Sequence, residues 1–231
     1  MKNNLTGIIC AMSLEMEGLR AQMTDMTVEK VSGIEFVRGR IGDADVVTAV
    51  CGVGKVFAAL CAQTMILRYN PEMLINVGVA GTLSDRLSIG DMAIGTSAVC
   101  HDMDTSPLGD PLGLISGINL VELPLDEQMR ASFEDCCREE SIPCLSGVIA
   151  SGDQFVDTAS RKEFIRDTFS AIACEMEGQA IAQVCYVNRK PCAILRSISD
   201  SADGTAMDYE RFKELAAEHS TKVLVRFLSK D

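Results

Sequence analysis

Short apolar runs alternate with stretches whose apolar positions recur at helical spacing, and the alternation continues through most of the chain. The first run predicts a strand over 6–11. Around 15–23, Leu14, Gly18, Leu19 and Met23 then recur as on one helix face. Two strands follow, Ile34–Ile41 and 45–51, joined across Gly42-Asp43, a pair that suits a tight primed hairpin turn. Gly52-Val53-Gly54 punctuates the chain before an apolar-faced helix over Lys55–Tyr69, which ends ahead of Pro71. The continuous apolar character of 73–79 predicts a strand buried on both faces, closed by Gly78-Val79-Ala80-Gly81. A further strand is expected over 89–100, and a mobile loop over 101–117, where Pro and Gly recur without periodicity. The remaining pattern predicts helices at 125–140, 159–166, Gly178–Asn188 and 209–229. Strands are expected between them at 144–150, 172–174 and 191–198. No repeat, linker or low-complexity tract interrupts this order. The expected architecture is α/β: a single three-layer domain over 1–231, with a central mixed β-sheet flanked by helices.

Composition narrows the partners. The chain has 231 residues, 47% hydrophobic and 23% charged, enough for a sizeable core. Its net charge of −12, with no basic cluster, disfavours nucleic acid as a partner. The apolar segment at 7–12 is too short for a signal region or a bilayer span, so no membrane partner is expected. Ten cysteines are scattered with no C-x-x-C pair, mostly in apolar segments, which favours reduced thiols and a cytoplasmic location over disulfides or a zinc site. With only His101 and His219 available, no histidine-based metal site is expected.

The candidate chemistry sits at strand exits. Glu175-Met176-Glu177 and Arg196-Ser197-Ile198-Ser199-Asp200 each follow a short apolar strand, and open α/β sheets bind ligands at the carboxyl ends of their strands. Two carboxylates as close as Glu175 and Glu177 would shift each other's ionisation, so one is expected to turn away at the helix start. Glu15 lies just past the first strand. It reads either as a first-turn acid complementing a helix dipole or as a general base at the mouth of the sheet. Asp200 reads as a turn residue or as a functional acid beside the irregular stretch 201–207. Gly52-Val53-Gly54-Lys55 lacks the Walker spacing and the hydroxyl after Lys, which leaves a tight strand-to-helix turn that backbone could use to approach a ligand. Ser151 lacks a nucleophile-elbow context, and His101, Asp102 and Asp104 read as a solvated loop.

Taken together the motifs become recognisable. Ile9-Cys10-Ala11-Met12-x-x-Glu15, Gly52-Val53-Gly54-Lys55, Asn76-Val77-Gly78-Val79-Ala80-Gly81, Gly90-Asp91, Ser151-Gly152-Asp153-Gln154-Phe155, Glu175-Met176-Glu177 and Arg196–Asp200 occur in order over nearly the whole chain. The chain resembles the 5′-methylthioadenosine/S-adenosylhomocysteine nucleosidases, within the nucleoside phosphorylase/hydrolase superfamily. The resemblance implies hydrolysis of an adenine–ribose N-glycosidic bond, with no metal or cofactor. It implies Asp200 as the acid that protonates adenine N7 and Glu15 as the base that activates water. Glu177 would bind the ribose hydroxyls, with Met176 packed on the sugar. Phe155 would stack on the purine, and the backbone of Val156 would read its edge. Arg196 is expected near the water and the Glu15 carboxylate, and Tyr209 in the pocket for the 5′-substituent. Met12, Val53, Val79, Glu175 and Ser199 complete the expected substrate-binding set. A homodimer is also implied.

Two departures stand out. Val79 occupies a position where these nucleosidases usually carry a hydroxyl, and losing one such hydrogen bond costs about 0.5–1.5 kcal/mol. The 101–117 segment has no aromatic residue, so the 5′ pocket should stay apolar but differ in shape. Three alternatives remain at this level: a purine nucleoside phosphorylase, a hydrolase for another purine nucleoside such as a futalosine-type substrate, and a non-catalytic nucleoside binder.

Overall fold

The computed structural model describes residues 5–201 and 206–230, and for 206–211 the backbone alone. Strand β1 (Thr6–Cys10) leads into helix α1 (Ser13–Arg20). An antiparallel meander follows: β2 (Thr24–Val31), β3 (Ile34–Ile41) and β4 (Ala44–Val50). Helix α2 (Lys55–Tyr69) and the long β5 (Met73–Thr82) precede β6 (Met92–Cys100) and the two-residue β7 (Leu123–Pro124). The rest alternates: α3 (Glu127–Glu139), β8 (Cys144–Ser151), α4 (Ala159–Phe169), β9 (Ala171–Glu175), α5 (Gly178–Asn188), β10 (Cys192–Asp200) and α6 (Ala206–Leu228).

All ten strands join one mixed sheet. Its order is β10-β6-β8-β9-β5-β1-β4-β3-β2, with β7 beside β6 and a further parallel pairing of β10 with β5. The strands β5, β10, β6, β8 and β9 therefore close on one another, and β1, β4, β3 and β2 extend from β5 as an open wing. This closure draws the ends of β5, β9 and β10 towards one point.

Side chains of the central strands alternate between two cores. In β1, Ile9 packs into one and Ile8 and Cys10 into the other. In β10, Cys192, Ile194 and Ile198 face the first, Ala193 and Leu195 the second. Helices α2 and α5 cover the first core through Ala58, Cys61, Ala62, Ile181 and Cys185. Helices α1, α3 and α6 cover the second through Met16, Leu19, Phe133, Val223 and Leu224. Coverage on both faces explains why these strands read as unbroken apolar runs. Each fully buried large apolar side chain contributes about 1.5–3 kcal/mol.

The expected α/β architecture holds, with three corrections. The meander begins with β2, a strand absent from the sequence reading. Most of its residues are exposed, and its Asp, Glu and Lys suit a solvated sheet edge, so no apolar alternation betrays it. Both β5 and β10 run past their expected ends, to Thr82 and Asp200, so Asp200 closes its strand instead of following it. Strand β6 begins at Met92 because Ser88–Asp91 form a turn, in which the Ser88 amide donates to Asp91 Oδ2 at 2.8 Å. The Gly42-Asp43 hairpin is present as expected. Helix α2 stops at Asn70, whose left-handed backbone (φ 49°) ends it before Pro71. The 101–117 segment contains a single 3-10 turn, Ser106–Leu108.

Candidate active site

The exits of β1, β4, β5, β8, β9 and β10 surround a cavity of about 210 Å³. Eleven of the thirteen expected site residues line it: Met12, Glu15, Val53, Val79, Phe155, Val156, Glu175, Met176, Glu177, Ser199 and Asp200. Two do not. Arg196 is absent from the lining, as described below. The side chain of Tyr209 lies outside the described residues. Ala11, Ala80, Gly81, Gln154 and Cys174 also line the cavity and were missed by sequence reasoning. Each lies within two residues of an expected site residue, and the small side chains of Ala11, Ala80, Gly81 and Cys174 give no chemical signal of their own.

Glu15 is a first-turn acid of α1 and also lines the cavity. It is the third residue of α1, and its Oε2 accepts the Ala11 and Met12 amides at 3.0 and 2.9 Å, closing the helix start. Its Oε1 accepts the Val79 amide from β5 at 3.1 Å. These bonds aim a helix-capping carboxylate into the cavity. The approach to β5 is close: a Cβ on Gly78 would lie 2.7 Å from Glu15 Oε1, so a larger residue there would displace the Glu15 carboxylate. Burial pushes the Glu15 carboxyl above its ordinary value, although the Met12 amide, the Arg196 charge and the Val79 and Ala11 amides oppose the shift.

Glu175 and Glu177 separate as their spacing required. Glu175 ends β9 and is held by an ion pair with Arg196, by Ser151 Oγ, and by the Glu177 and Gly178 amides at 3.1 and 2.8 Å. Burial alone would raise its carboxyl. The Arg196 charge and these donors outweigh burial and hold it below the ordinary range. Glu177 turns away as the N-cap of α5 and accepts the Gly54 amide at 2.8 Å. Burial, then the neighbouring Glu175 charge, push Glu177 up to about 7.

This corrects the expectation for Arg196. Its guanidinium is 1% exposed and bonds to Glu175 Oε2, to Asn76 Oδ1, and to the carbonyls of Asn76 and Leu195 at 3.1 Å each. It acts on the cavity from behind the wall, through Glu175 and through its charge on Glu15. Asp200, at the end of β10, is 6% exposed and lies 2.9 Å from the Ser199 hydroxyl, which can donate to its Oδ2. Phe155, 49% exposed, lines the cavity beside the buried Val156. Among the described residues, no group of three or more His, Cys, Asp or Glu side chains could hold a metal ion.

The raised Glu177 carboxyl has a consequence for stability. Between the ordinary carboxylate value of 4.5 and about 7, the folded chain keeps a proton that the unfolded chain has released. Stability therefore falls as pH rises through that window. Glu177→Gln should remove roughly 1–3 kcal/mol of this fall, measured as denaturant unfolding of ligand-free protein at pH 5 and pH 7.5. Glu15 shifts in the same direction, so part of the slope should remain. An unchanged slope in Glu177→Gln would contradict the assignment.

A mixed α/β sheet whose strand exits hold four carboxylates, Glu15, Glu175, Glu177 and Asp200, among apolar side chains defines a site for a small ligand with an apolar face and hydroxyl donors. The chain belongs to the phosphorylase superfamily, whose family model matches residues 6–229. It is 36% identical over 222 residues to a 5′-methylthioadenosine/S-adenosylhomocysteine nucleosidase of Staphylococcus haemolyticus, covering 95% of this chain and 97% of that one. The structure of a nucleosidase of the same name from Neisseria meningitidis, in complex with methylthio-immucillin-A, superposes with a TM-score of 0.93 at 30% identity, covering 97% and 98% of the two chains. The futalosine hydrolase of Helicobacter pylori matches equally in fold, with a TM-score of 0.93, 35% identity and 97% of each chain covered. The family resemblance read from the motifs is thereby borne out.

Proposed function

We propose that this protein is a purine nucleosidase that hydrolyses the N-glycosidic bond of 5′-thio-substituted adenosines, 5′-methylthioadenosine and S-adenosylhomocysteine, to adenine and a thioribose product. The observation that carries the reading is the convergence of Glu15, Glu177 and Asp200 from three distant strand exits on one cavity with an apolar wall. In this mechanism Asp200 gives its proton to adenine N7 as the C1′–N9 bond breaks, and the bond's electron pair leaves with the base. Glu15 takes a proton from water as its oxygen attacks C1′. A carboxyl raised by burial is a stronger base than an exposed one, which suits this role. Positive charge grows on the sugar in the transition state, and carboxylates fixed in a water-poor site stabilise it. Glu177 accepts the 2′ and 3′ hydroxyls, while Phe155 and Val156 hold the purine. Met12, Val53, Val79 and Met176 supply the apolar surround.

A carboxylate at position 15 would repel phosphate, which favours hydrolysis over phosphorolysis. Purified protein should release adenine from 5′-methylthioadenosine or S-adenosylhomocysteine without added phosphate. Absence of release from both, where a related nucleosidase works, would reject the proposal. The likeness to futalosine hydrolase supports a second substrate class. Futalosine therefore belongs in the same panel, and exclusive cleavage of it would favour that reading.

The reading extends to assembly and location. Val53, Val56, Phe57 and Leu60 expose apolar surface at the start of α2, beside Val187 of α5, and this supports a homodimer through that face. Ten free thiols, nine of them buried, suit the reducing cytoplasm. No helix among the described residues is long and apolar enough to cross a membrane.

A further inference from the structure

Beside the cavity, three residues distant in sequence close a ring. Lys55 follows β4, Asp102 follows β6 and Asp153 follows β8. The Lys55 amide donates to Asp153 Oδ1 at 2.8 Å, and the Asp153 amide donates to Asp102 Oδ2 at 2.8 Å. The Lys55 ammonium completes the circuit through an ion pair with Asp102 Oδ1. It also lies 3.8 Å from Asp153 Oδ2 and 3.4 Å from Cys100 Sγ. None of the three residues lines the cavity. Each is instead joined to a segment that does. Gly54, just before Lys55, donates its amide to Glu177 Oε1 at 2.8 Å. Gln154, Phe155 and Val156, just after Asp153, line the cavity as well.

The Gly54 turn is also pressed on the ring. Its φ is +100°, and a Cβ there would lie 3.1 Å from Asp153 Oδ1. The ion pair is largely shielded from water, with side-chain exposures of 21% for Lys55 and 16% for Asp102. Burial would push Asp102 up, but the bonds from Lys55, the Asp153 amide and Cys100 overcome it and hold the carboxyl at about 2. Both partners are therefore charged at neutral pH. An exposed pair would contribute little, whereas breaking one partner of a shielded pair leaves a poorly solvated charge.

We propose that Lys55, Asp102 and Asp153 are positioning residues, whose ring fixes the Gly54 amide against Glu177 and so sets the grip on the sugar hydroxyls. This rests on the reading of Glu177 as the acceptor for those hydroxyls. Lys55 has no direct part in the chemistry, because its ammonium is engaged by two carboxylates outside the cavity. Displacing Gly54 would remove a donor from Glu177 and loosen the oxygen that meets the sugar. Sub-ångström errors at such a contact are enough to lower turnover.

The test compares the ribosyl substrate with its 2′,3′-dideoxy analogue, each variant being referred to the wild type on the same compound. Lys55→Met and Asp102→Asn should lose about tenfold or more in kcat/KM on the ribosyl substrate and less than about threefold on the analogue. Lys55→Arg, which keeps the charge, should recover most of the loss. The double variant should lose no more than either single one, since both break the same ring. Equal losses on the two compounds would mean a general structural role and would overturn the proposal. Full retention of the hydroxyl preference in both single variants would overturn it as well. Glu177→Gln separates the two levels: if it leaves the preference intact, the reading of Glu177 itself fails and the ring proposal with it. Melting temperatures accompany each assay, and if Lys55→Met does not fold, the near-isosteric Asp102→Asn decides.

Discussion

Replacing Asp200 with Asn is expected to lower adenine release by about 10²–10⁴-fold, the range typical for loss of a positioned general acid. The amide is nearly the same size and can still meet the Ser199 hydroxyl, which lies 2.9 Å from Oδ2 in the wild type. The fold and the ligand cavity should therefore survive, while no proton is available for the departing base. A purine anion is a poor leaving group, so the barrier rises at the step where C1′–N9 breaks. The loss should appear mainly in kcat, with KM close to the wild-type value. A nucleoside analogue whose leaving group needs no protonation should be cleaved almost as fast by the variant. Turnover of the natural substrate within tenfold of wild type would withdraw the acid role from Asp200.

The largest effect on stability is expected at Arg196. Its guanidinium is 1% exposed, and from β10 it meets Glu175 at the end of β9 and Asn76 of β5 with its polar atoms. Arg196→Met keeps much of the side-chain length and removes the charge. It leaves Glu175 buried with the Ser151 hydroxyl and two amides but without its counter-charge. Breaking one side of a buried pair in this way costs about 3–5 kcal/mol. Arg196→Met with Glu175→Leu should cost clearly less than the sum of the two single changes, because the second substitution removes the stranded charge. Denaturant unfolding of the three variants checks both statements. A single variant within about 1 kcal/mol of wild type would show that the pair contributes little. Activity should fall in Arg196→Met as well, since Glu175 sits two residues before Glu177 and raises its carboxyl.

These two residues also show where reading the chain succeeds and where it stops. Asp200 was legible because a short apolar run points at it, and the carboxyl end of such a strand is where ligands bind. Arg196 lies on the same strand and was expected near the attacking water and the Glu15 carboxylate; its charge does reach Glu15, but its side chain does not line the cavity. Alternation along a strand fixes which side chains share a face, but it cannot say which neighbour an arginine will meet across the sheet. That depended on the pairing of β10 with β5, which puts Asn76 within reach, and on β9 delivering Glu175. Strand β2 was illegible for a different reason. An edge strand in water needs no apolar face, so Thr24–Val31 carries none of the signal that marks buried strands. Gly52-Val53-Gly54-Lys55 reads as a tight strand-to-helix turn, and the chain does turn there into α2, which begins at Lys55. Only the fold shows that the Gly54 and Lys55 amides reach Glu177 and Asp153.

The sequence by itself determined the α/β class, most of the element order, the family and eleven of the residues that line the cavity. The class and the element order are legible because burial imposes a local apolar period, whereas the family and the eleven residues follow from the resemblance that the ordered motifs carry. The tertiary structure alone decided how the acids divide. Glu15 caps a helix and touches β5, Glu175 is held by Arg196, and Glu177 is raised to about 7 beside it. These differences arise from desolvation and from partners separated by up to 123 residues of chain. Ionisation answers to distance and dielectric in space, which no local pattern encodes.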